Sequence, residues 1–262
     1  MMQETTETEG AAAPAPAPLR GKTVLVTGAA RRVGAVIART LHAAGANLVL
    51  HYRSSADDAA ALAGELNGLR PASAAAAECD LLETASLPAL IARAVEQFGG
   101  LDILVNNAST FYPSPLGDIT EMDWDDLIGT NLKAPLFLAQ AAASRLHEAR
   151  GLIVNLADIH GVQPLRRYPV YSIAKAGLIM LTRALARELG PHVRVNAVAP
   201  GPVMWPEDGV DRVLQEKIIQ RTALKRAGSA EDVARACLFF ATDAPYVTGQ
   251  VLAVDGGRSI GW

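Results

Sequence analysis

The sequence predicts an α/β fold: one doubly wound domain in which helices cover both faces of a seven-stranded parallel sheet. Three observations predict it. Short apolar runs alternate with helical stripes along the chain, and the first run ends in Thr27-Gly28 and leads straight into a helix. The third is bulk: 262 residues, 50% apolar and 19% charged, can fill one large core.

The elements follow in order. Val24-Leu25-Val26 is a buried strand, and Val33, Ile37, Leu41 and Ala44 form the stripe of a helix over 33–44. Asn47-Leu48-Val49-Leu50 completes a βαβ unit. Helices over 56–68 and 84–98 flank a weak, Ala-rich strand near 72–78, and Asp102-Ile103-Leu104-Val105 is the fourth strand. A long helix over 122–147 carries an irregularity at Pro135, whose ring and missing N–H disturb a helix interior. Then come a strand at 151–156, a helix at 170–190, a strand at 193–198, a helix at 230–241 opened by Ser229, and a last strand at 250–254. The stretch 201–226 breaks the rhythm with turn signals and a short helix near 210–220. Because it follows the carboxyl end of a strand, it is expected to be a substrate lid.

Composition excludes several classes. The first 20 residues are acidic and then Ala/Pro-rich, without a basic start or an apolar stretch, and read as a disordered tail ahead of a domain over 21–262. No run of 18 apolar residues occurs, so a soluble, cytoplasmic protein is expected. With 24 Lys+Arg against 27 Asp+Glu, the net charge of −3 argues against a nucleic-acid-binding surface. Cys79 and Cys237 lack the neighbours of a disulfide scaffold or a zinc site, so no metal is expected.

Thr27-Gly28-Ala29-Ala30-Arg31-Arg32-Val33-Gly34 joins the first strand to the first helix, as in a Rossmann-type nucleotide site. Gly28 serves the tight turn, Gly34 close approach, and the helix start offers N–H groups to phosphate. The second strand ends in His51-Tyr52-Arg53-Ser54 rather than an acidic residue that would grip two ribose hydroxyls. Arginine and hydroxyls there suit a 2′-phosphate, so NADPH is the expected cofactor. His51 or Arg53 and Ser54 are its expected contacts, with Arg32 approaching from the glycine turn. Asn107 and Ala108 follow the fourth strand on the cofactor side, and Asp80, with Leu81 beside it, is placed to accept a hydrogen bond from adenine.

Tyr171 and Lys175 lie four residues apart near the start of a strong helix and therefore share a face. A cation about 5 Å away stabilises a phenolate by roughly 3 kcal/mol at an effective dielectric of about 20, which would make Tyr171 a serviceable proton donor.

TGAARRVG, NNAS, Asn131 in the long helix, YSIAK and VNAVAPG run in order between residues 22 and 257 and together resemble the short-chain dehydrogenase/reductase family. That resemblance implies that Tyr171 is the catalytic tyrosine, that Lys175 binds the nicotinamide ribose and favours proton transfer, and that Asn131 supports a proton-relay water. It also carries Pro200 and Gly201 to the cofactor site. Two positions depart from the usual pattern: the family serine thirteen residues before the tyrosine is Asp158, and the middle glycine of the turn is Arg32. Both departures, with HYRSS and NNASTFYPSPL, resemble the pteridine reductases. The likeness implies that Phe111 stacks on a pterin opposite the nicotinamide, with Arg32, Ser109 and Tyr168 lining the pocket.

On that resemblance the expected reaction is hydride transfer to a pterin, dihydropterin to tetrahydropterin, with oxidised pterins and dihydrofolate as further substrates. Asp158 beside Tyr171 disfavours a second negative charge, which either raises the carboxyl pKa or opposes tyrosine ionisation, and the pair relays one proton. A carbonyl or other imine reductase is the alternative, and a non-enzymatic NADPH-binding protein the third reading. The resemblance further implies a homotetramer, and places Trp262 where related chains often present an arginine to a neighbour's site.

Overall fold

The computed structural model describes residues 17–205 and 211–260. Seven strands form one parallel sheet: β1 (Thr23–Val26), β2 (Asn47–Tyr52), β3 (Ala74–Glu78), β4 (Ile103–Asn106), β5 (Leu152–Leu156), β6 (Arg194–Pro200) and β7 (Val251–Val254). Their order across the sheet is β3-β2-β1-β4-β5-β6-β7, so the winding direction reverses between β1 and β4, and the carboxyl ends of those strands open a crevice.

Successive side chains leave a strand on opposite faces, and both faces of this sheet are buried. Val24, Val26, Ile103, Val105, Val154 and Leu156 pack on one side with α1 (Arg32–Ala43), α2 (Ala56–Leu69) and α8 (Ala230–Thr242). Leu25, Leu104, Ile153 and Val195 pack on the other with α3 (Leu87–Phe98) and α5 (Ala134–Ala149). Register keeps the sides consistent, since Val24 pairs with Ile103 and Leu25 with Leu104. The single domain is therefore a Rossmann-type α/β fold.

The ordered domain begins earlier than the sequence suggests. Leu19 is only 4% exposed and its N–H donates to the Ala44 carbonyl, so burial of one leucine draws 19 and 20 into the fold. Residues 1–16, 206–210 and 261–262, and with them most of the expected tail, the middle of the expected lid and Trp262, lie outside the described residues. Within 201–226 the expected short helix is α7 (Arg212–Gln220).

The long helix expected over 122–147 is interrupted. It runs as α4 (Glu121–Ile128), a π-helical turn at Gly129–Lys133, and then α5. Pro135 cannot donate to the carbonyl four residues before it, which belongs to Asn131, and the ladder loosens by one residue just upstream. The irregularity thus falls on Asn131 itself. No helix among the described residues is long and apolar enough to cross a membrane.

A buried polar chain ties the crevice to α6 (Pro169–Leu189). Asn106 and Asn155 are register partners at the ends of β4 and β5. Asn106 Nδ2 donates to Asn155 Oδ1 (2.8 Å), and Asn155 Nδ2 donates to Thr182 Oγ1 on α6 (2.9 Å). Asn155 is fully buried, so removing its amide strands Asn106 Nδ2 away from water, while Thr182 Oγ1 keeps its bond to the Leu178 carbonyl (2.8 Å). Asn155→Ala is expected to lower the unfolding free energy by about 2–3 kcal/mol. Urea denaturation checks this, and an unchanged midpoint would show that the chain does not support the sheet.

Candidate active site

The glycine turn leaves no room for a side chain at Gly34. A Cβ on Gly34 would lie 2.2 Å from the Gly28 carbonyl oxygen and 2.6 Å from Asn107 Nδ2, and Gly28 itself is left-handed at φ +61°. Thr27 Oγ1 accepts the N–H groups of Asn107 (2.9 Å) and Ala108 (3.0 Å), while Asn107 Nδ2 donates to the Thr27 carbonyl (2.9 Å). The ends of β1 and β4 are thereby held together. No side chain caps the start of α1, so its first N–H groups keep their capacity for an anion. These residues fit the pyrophosphate of a dinucleotide. Sequence reasoning passed over Thr27, although a threonine directly before the turn glycine was the available signal.

His51 does a different job from the one expected. It is buried at the end of β2, where Nδ1 accepts the Gly28 N–H (3.0 Å), which places the ring proton on Nε2, 2.9 Å from the Cys79 carbonyl. With both nitrogens engaged, it supports the turn from behind and has none to offer a phosphate. Arg53 and Ser54 are exposed beyond it, Tyr52 is half-buried, and Arg31 approaches from the turn to within 3.7 Å of Asp58 in the first turn of α2. Arg32, expected both at the cofactor turn and in the substrate pocket, reaches across the sheet. Its Nη2 donates to the Trp205 carbonyl (3.0 Å) beyond β6, on the opposite side of β1 from β2. That interaction takes it toward the substrate half, and Arg31 is the arginine beside the β2 end. Val33 follows in the first turn of α1.

Asp80 is exposed and one of its oxygens accepts the Leu82 N–H (3.0 Å), closing its own turn, with Leu81 buried beneath. Across the crevice, Gly201 follows Pro200 at the end of β6, and a Cβ there would meet Asp255 at 2.7 Å.

The reactive cluster joins β5, α6 and the π-helical turn. Asp158 leads the 3-10 turn Ile159–Gly161: Oδ1 accepts the His160 N–H (2.7 Å) and Oδ2 accepts the Tyr171 hydroxyl (2.7 Å). Tyr171 is 5% exposed. Its pKa lies well above the ordinary phenol value, first because burial disfavours the phenolate, then because Asp158 repels it, with Ser109 acting the other way. The direction is opposite to the lowering expected from Lys175.

Lys175 is 3% exposed, donates from Nζ to the Leu156 carbonyl (2.8 Å) and sits 5.6 Å from the centre of the Tyr171 ring. Burial lowers its pKa to about 8, with Asp158 opposing the shift. The backbone carbonyl that holds it left no trace in the sequence pattern. Asn131 is buried: Nδ2 donates to the Leu127 carbonyl (2.9 Å) and the Thr110 carbonyl (3.0 Å), and Oδ1 accepts the Ser109 hydroxyl (2.6 Å).

An aromatic group adjoins the cluster. Phe111 stacks on Tyr168 at 4.6 Å between ring centres and 13° between planes, and meets Tyr171 edge-on at 4.8 Å. Phe111 is 44% exposed, so it is not a core aromatic but a part-exposed ring stacked on Tyr168 beside Tyr171.

The sequence profile described as enoyl-(acyl carrier protein) reductase matches residues 28–259. Pteridine reductase 1 of Leishmania tarentolae is 38% identical, over 90% of this chain and 96% of its own length. The 3-oxoacyl-[acyl-carrier-protein] reductase FabG of Staphylococcus aureus (strain Mu50) is 36% identical, over 90% and 97%. Among solved structures, a blue fluorescent protein from a metagenomic library, in complex with NADPH, superposes with a TM-score of 0.86 at 35% identity, covering 92% of this chain and 99% of that one.

Burial also pushes His51 below the ordinary imidazole value, with the Cys79 carbonyl and Asp80 opposing the shift. Unfolded, the ring binds a proton near pH ~6.5; folded, it does so only at lower pH. Between those values the unfolded chain holds more protons, so stability rises with pH up to about 6.5 and is lost on acidification. Thermal midpoints between pH 5 and 8 are expected to show this fall, and His51→Gln is expected to flatten it while lowering the midpoint throughout.

Proposed function

The chain belongs to the short-chain dehydrogenase/reductase family, and from that premise we propose that it is an NADPH-dependent pteridine reductase. The relatives alone do not choose the substrate, since a pteridine reductase at 38% and a 3-oxoacyl reductase at 36% stand almost level. What carries the proposal is the hydrogen bond between Tyr171 and Asp158 beside the exposed face of Phe111. A carbonyl oxygen being reduced accepts one proton at one atom, and a tyrosine suffices for that. A pterin presents ring nitrogens and an amino-amide edge, to which a hydroxyl and a carboxyl together are better matched.

When bound, NADPH supplies the hydride, which a 7,8-dihydropterin takes at C6 while N5 takes a proton. The residues manage that proton. Tyr171 and Asp158 hold it between them at 2.7 Å, and burial keeps Tyr171 from losing it to solvent. Lys175, with its pKa brought down to about 8, is a proton source that releases readily near neutral pH. Asn131, placed by the π-helical turn, positions Ser109 and supports a relay water next to it. Arg31, Arg53 and Ser54 at the end of β2 are the residues for a 2′-phosphate, in keeping with the NADPH bound by the superposed blue fluorescent protein. Cytoplasmic localisation, a lid over 201–226 and a homotetramer belong to the same proposal. Exposed Leu136, Ile173 and Met180 on α5 and α6 are the apolar surface such an assembly would cover.

The second reading is reduction of a carbonyl, favoured by the match to FabG and by the family profile. Steady-state rates with dihydrobiopterin, dihydrofolate and a 3-oxoacyl thioester separate the two.

For pterin reduction, kcat/KM is expected to fall as pH rises through about 8, where free Lys175 loses its proton. Tyr171→Phe and Asp158→Ala are each expected to reduce pterin turnover at least about 100-fold in folded protein. Removing Asp158 also removes the carboxyl that supports the lysine's charge, so the residual activity of Asp158→Ala should lose its high-pH limb at lower pH. Unchanged single-turnover rates in Asp158→Ala would defeat its assignment.

Cofactor choice has its own test. NADPH is expected to exceed NADH in kcat/KM by at least about tenfold, and Arg53→Ala to narrow that gap through the KM for NADPH. Equal use of the two cofactors would refute the 2′-phosphate site.

A further inference from the structure

The loop between β5 and α6 places two adjacent arginines, Arg166 and Arg167, immediately before Tyr168. Both are exposed, and neither forms an ion pair with a described residue. Arg167 holds the left-handed conformation, φ +72°, that favours glycine. The backbone around it is clamped: the Ser114 N–H donates to the Arg167 carbonyl (2.8 Å), the Tyr168 N–H to the Leu165 carbonyl (3.1 Å), and the Leu165 N–H to Ser172 Oγ (3.2 Å). The loop is therefore fixed to the segment that carries Phe111, which it also meets through the stacked Tyr168 ring. On that facing segment Leu116 is 92% exposed.

Back along the chain from Tyr171, the chemistry changes from the aromatic Tyr168, stacked on Phe111, directly to the two cations, with Leu116 exposed on the facing segment. A ligand that fits this arrangement has a flat ring and carries a negatively charged end. We infer that Arg166 and Arg167 form a subsite for a carboxylate-bearing tail of the substrate, so that specificity among related rings is set by tail charge. The inference rests on the pterin reading. Under it, dihydrofolate, whose tail ends in carboxylates, is selected over dihydrobiopterin, whose tail is neutral. Guanidinium groups suit the task because they stay charged and pair with carboxylates in a bidentate manner.

The test is a comparison of kcat/KM for dihydrofolate and dihydrobiopterin in the full chain and in Arg166→Gln/Arg167→Gly. Glycine tolerates the φ of Arg167, so the variant keeps its loop. The expected result is a loss of about tenfold or more on dihydrofolate, carried by KM with kcat retained, and a change below about twofold on dihydrobiopterin. Raising salt from about 50 to 500 mM should weaken dihydrofolate in the parent chain and not in the variant. Calorimetric affinities for folate and biopterin should divide in the same way. Equal losses on both substrates, or none on either, overturn the subsite while leaving pterin reduction standing. Failure of the parent chain to reduce either pterin sinks the pterin reading and the subsite with it. Sensitivity of the variant to an acidic acyl-carrier protein, with its dihydrofolate KM unchanged, overturns the subsite and assigns the pair to protein docking.

Discussion

The hydrogen bond from Tyr171 to Asp158 constrains everything else in the crevice. Its two ends lie on different elements, the end of β5 and the first turn of α6, and it closes at 2.7 Å only because both are fixed independently. Asp158 is held by the His160 N–H, and α6 is held by Lys175 on the Leu156 carbonyl and by Thr182 on Asn155. The consequences are electrostatic. A carboxyl beside a buried phenol makes the phenolate doubly unfavourable, so the tyrosine enters the site as an acid that retains its proton until another base appears. The same carboxyl partly offsets the burial of Lys175, whose pKa therefore stops near 8 and does not fall further. A neutral residue at 158 would do neither.

The nucleotide half obeys a steric constraint, complementary to the electrostatic one. Gly34 is packed so closely against the Gly28 carbonyl and the Asn107 amide that one methyl group would force α1 away from the ends of β1 and β4. That closeness lets Thr27 and Asn107 tie the two strands across the switch point, and His51 completes the support from β2. Three neighbouring strands thus fix a turn whose own side chains are too small to fix it. The open start of α1 is left for the ligand.

The sequence made the strands and helices legible because burial on both sheet faces writes near-continuous apolar runs, and α1 and α3 write clean stripes. It made Tyr171, Lys175, Asp158 and Asn131 legible through spacing within recognisable motifs. It misassigned His51 because a histidine at a strand end reads the same whether it faces solvent or the back of a turn. Only the positions of Gly28 N and Cys79 O decide which. It placed the break in the long helix at Pro135, whereas the missing N–H is felt one turn earlier, at its acceptor. It gave Lys175 the dominant influence on Tyr171 because a four-residue spacing brings charges together on paper. Burial and Asp158 outweigh that proximity, and both depend on packing that spans thirteen residues.

Three arginines hold left-handed backbone: Arg150 closes α5, while Arg32 in the glycine turn and Arg167 before Tyr168 stand in the segments that flank the crevice. The left-handed conformation costs a residue with a Cβ about 1–2 kcal/mol, which glycine would avoid at either position. For Arg32 an offsetting contact is visible: its guanidinium bridges from the cofactor turn to the Trp205 carbonyl beyond β6, linking the two halves of the site. Arg167 has its carbonyl on Ser114 and its side chain in solvent, so the protein's own contacts offset little of its cost. An anion brought by the substrate, as inferred for Arg166 and Arg167, would give Arg167 the kind of compensating contact that Arg32 finds within the chain.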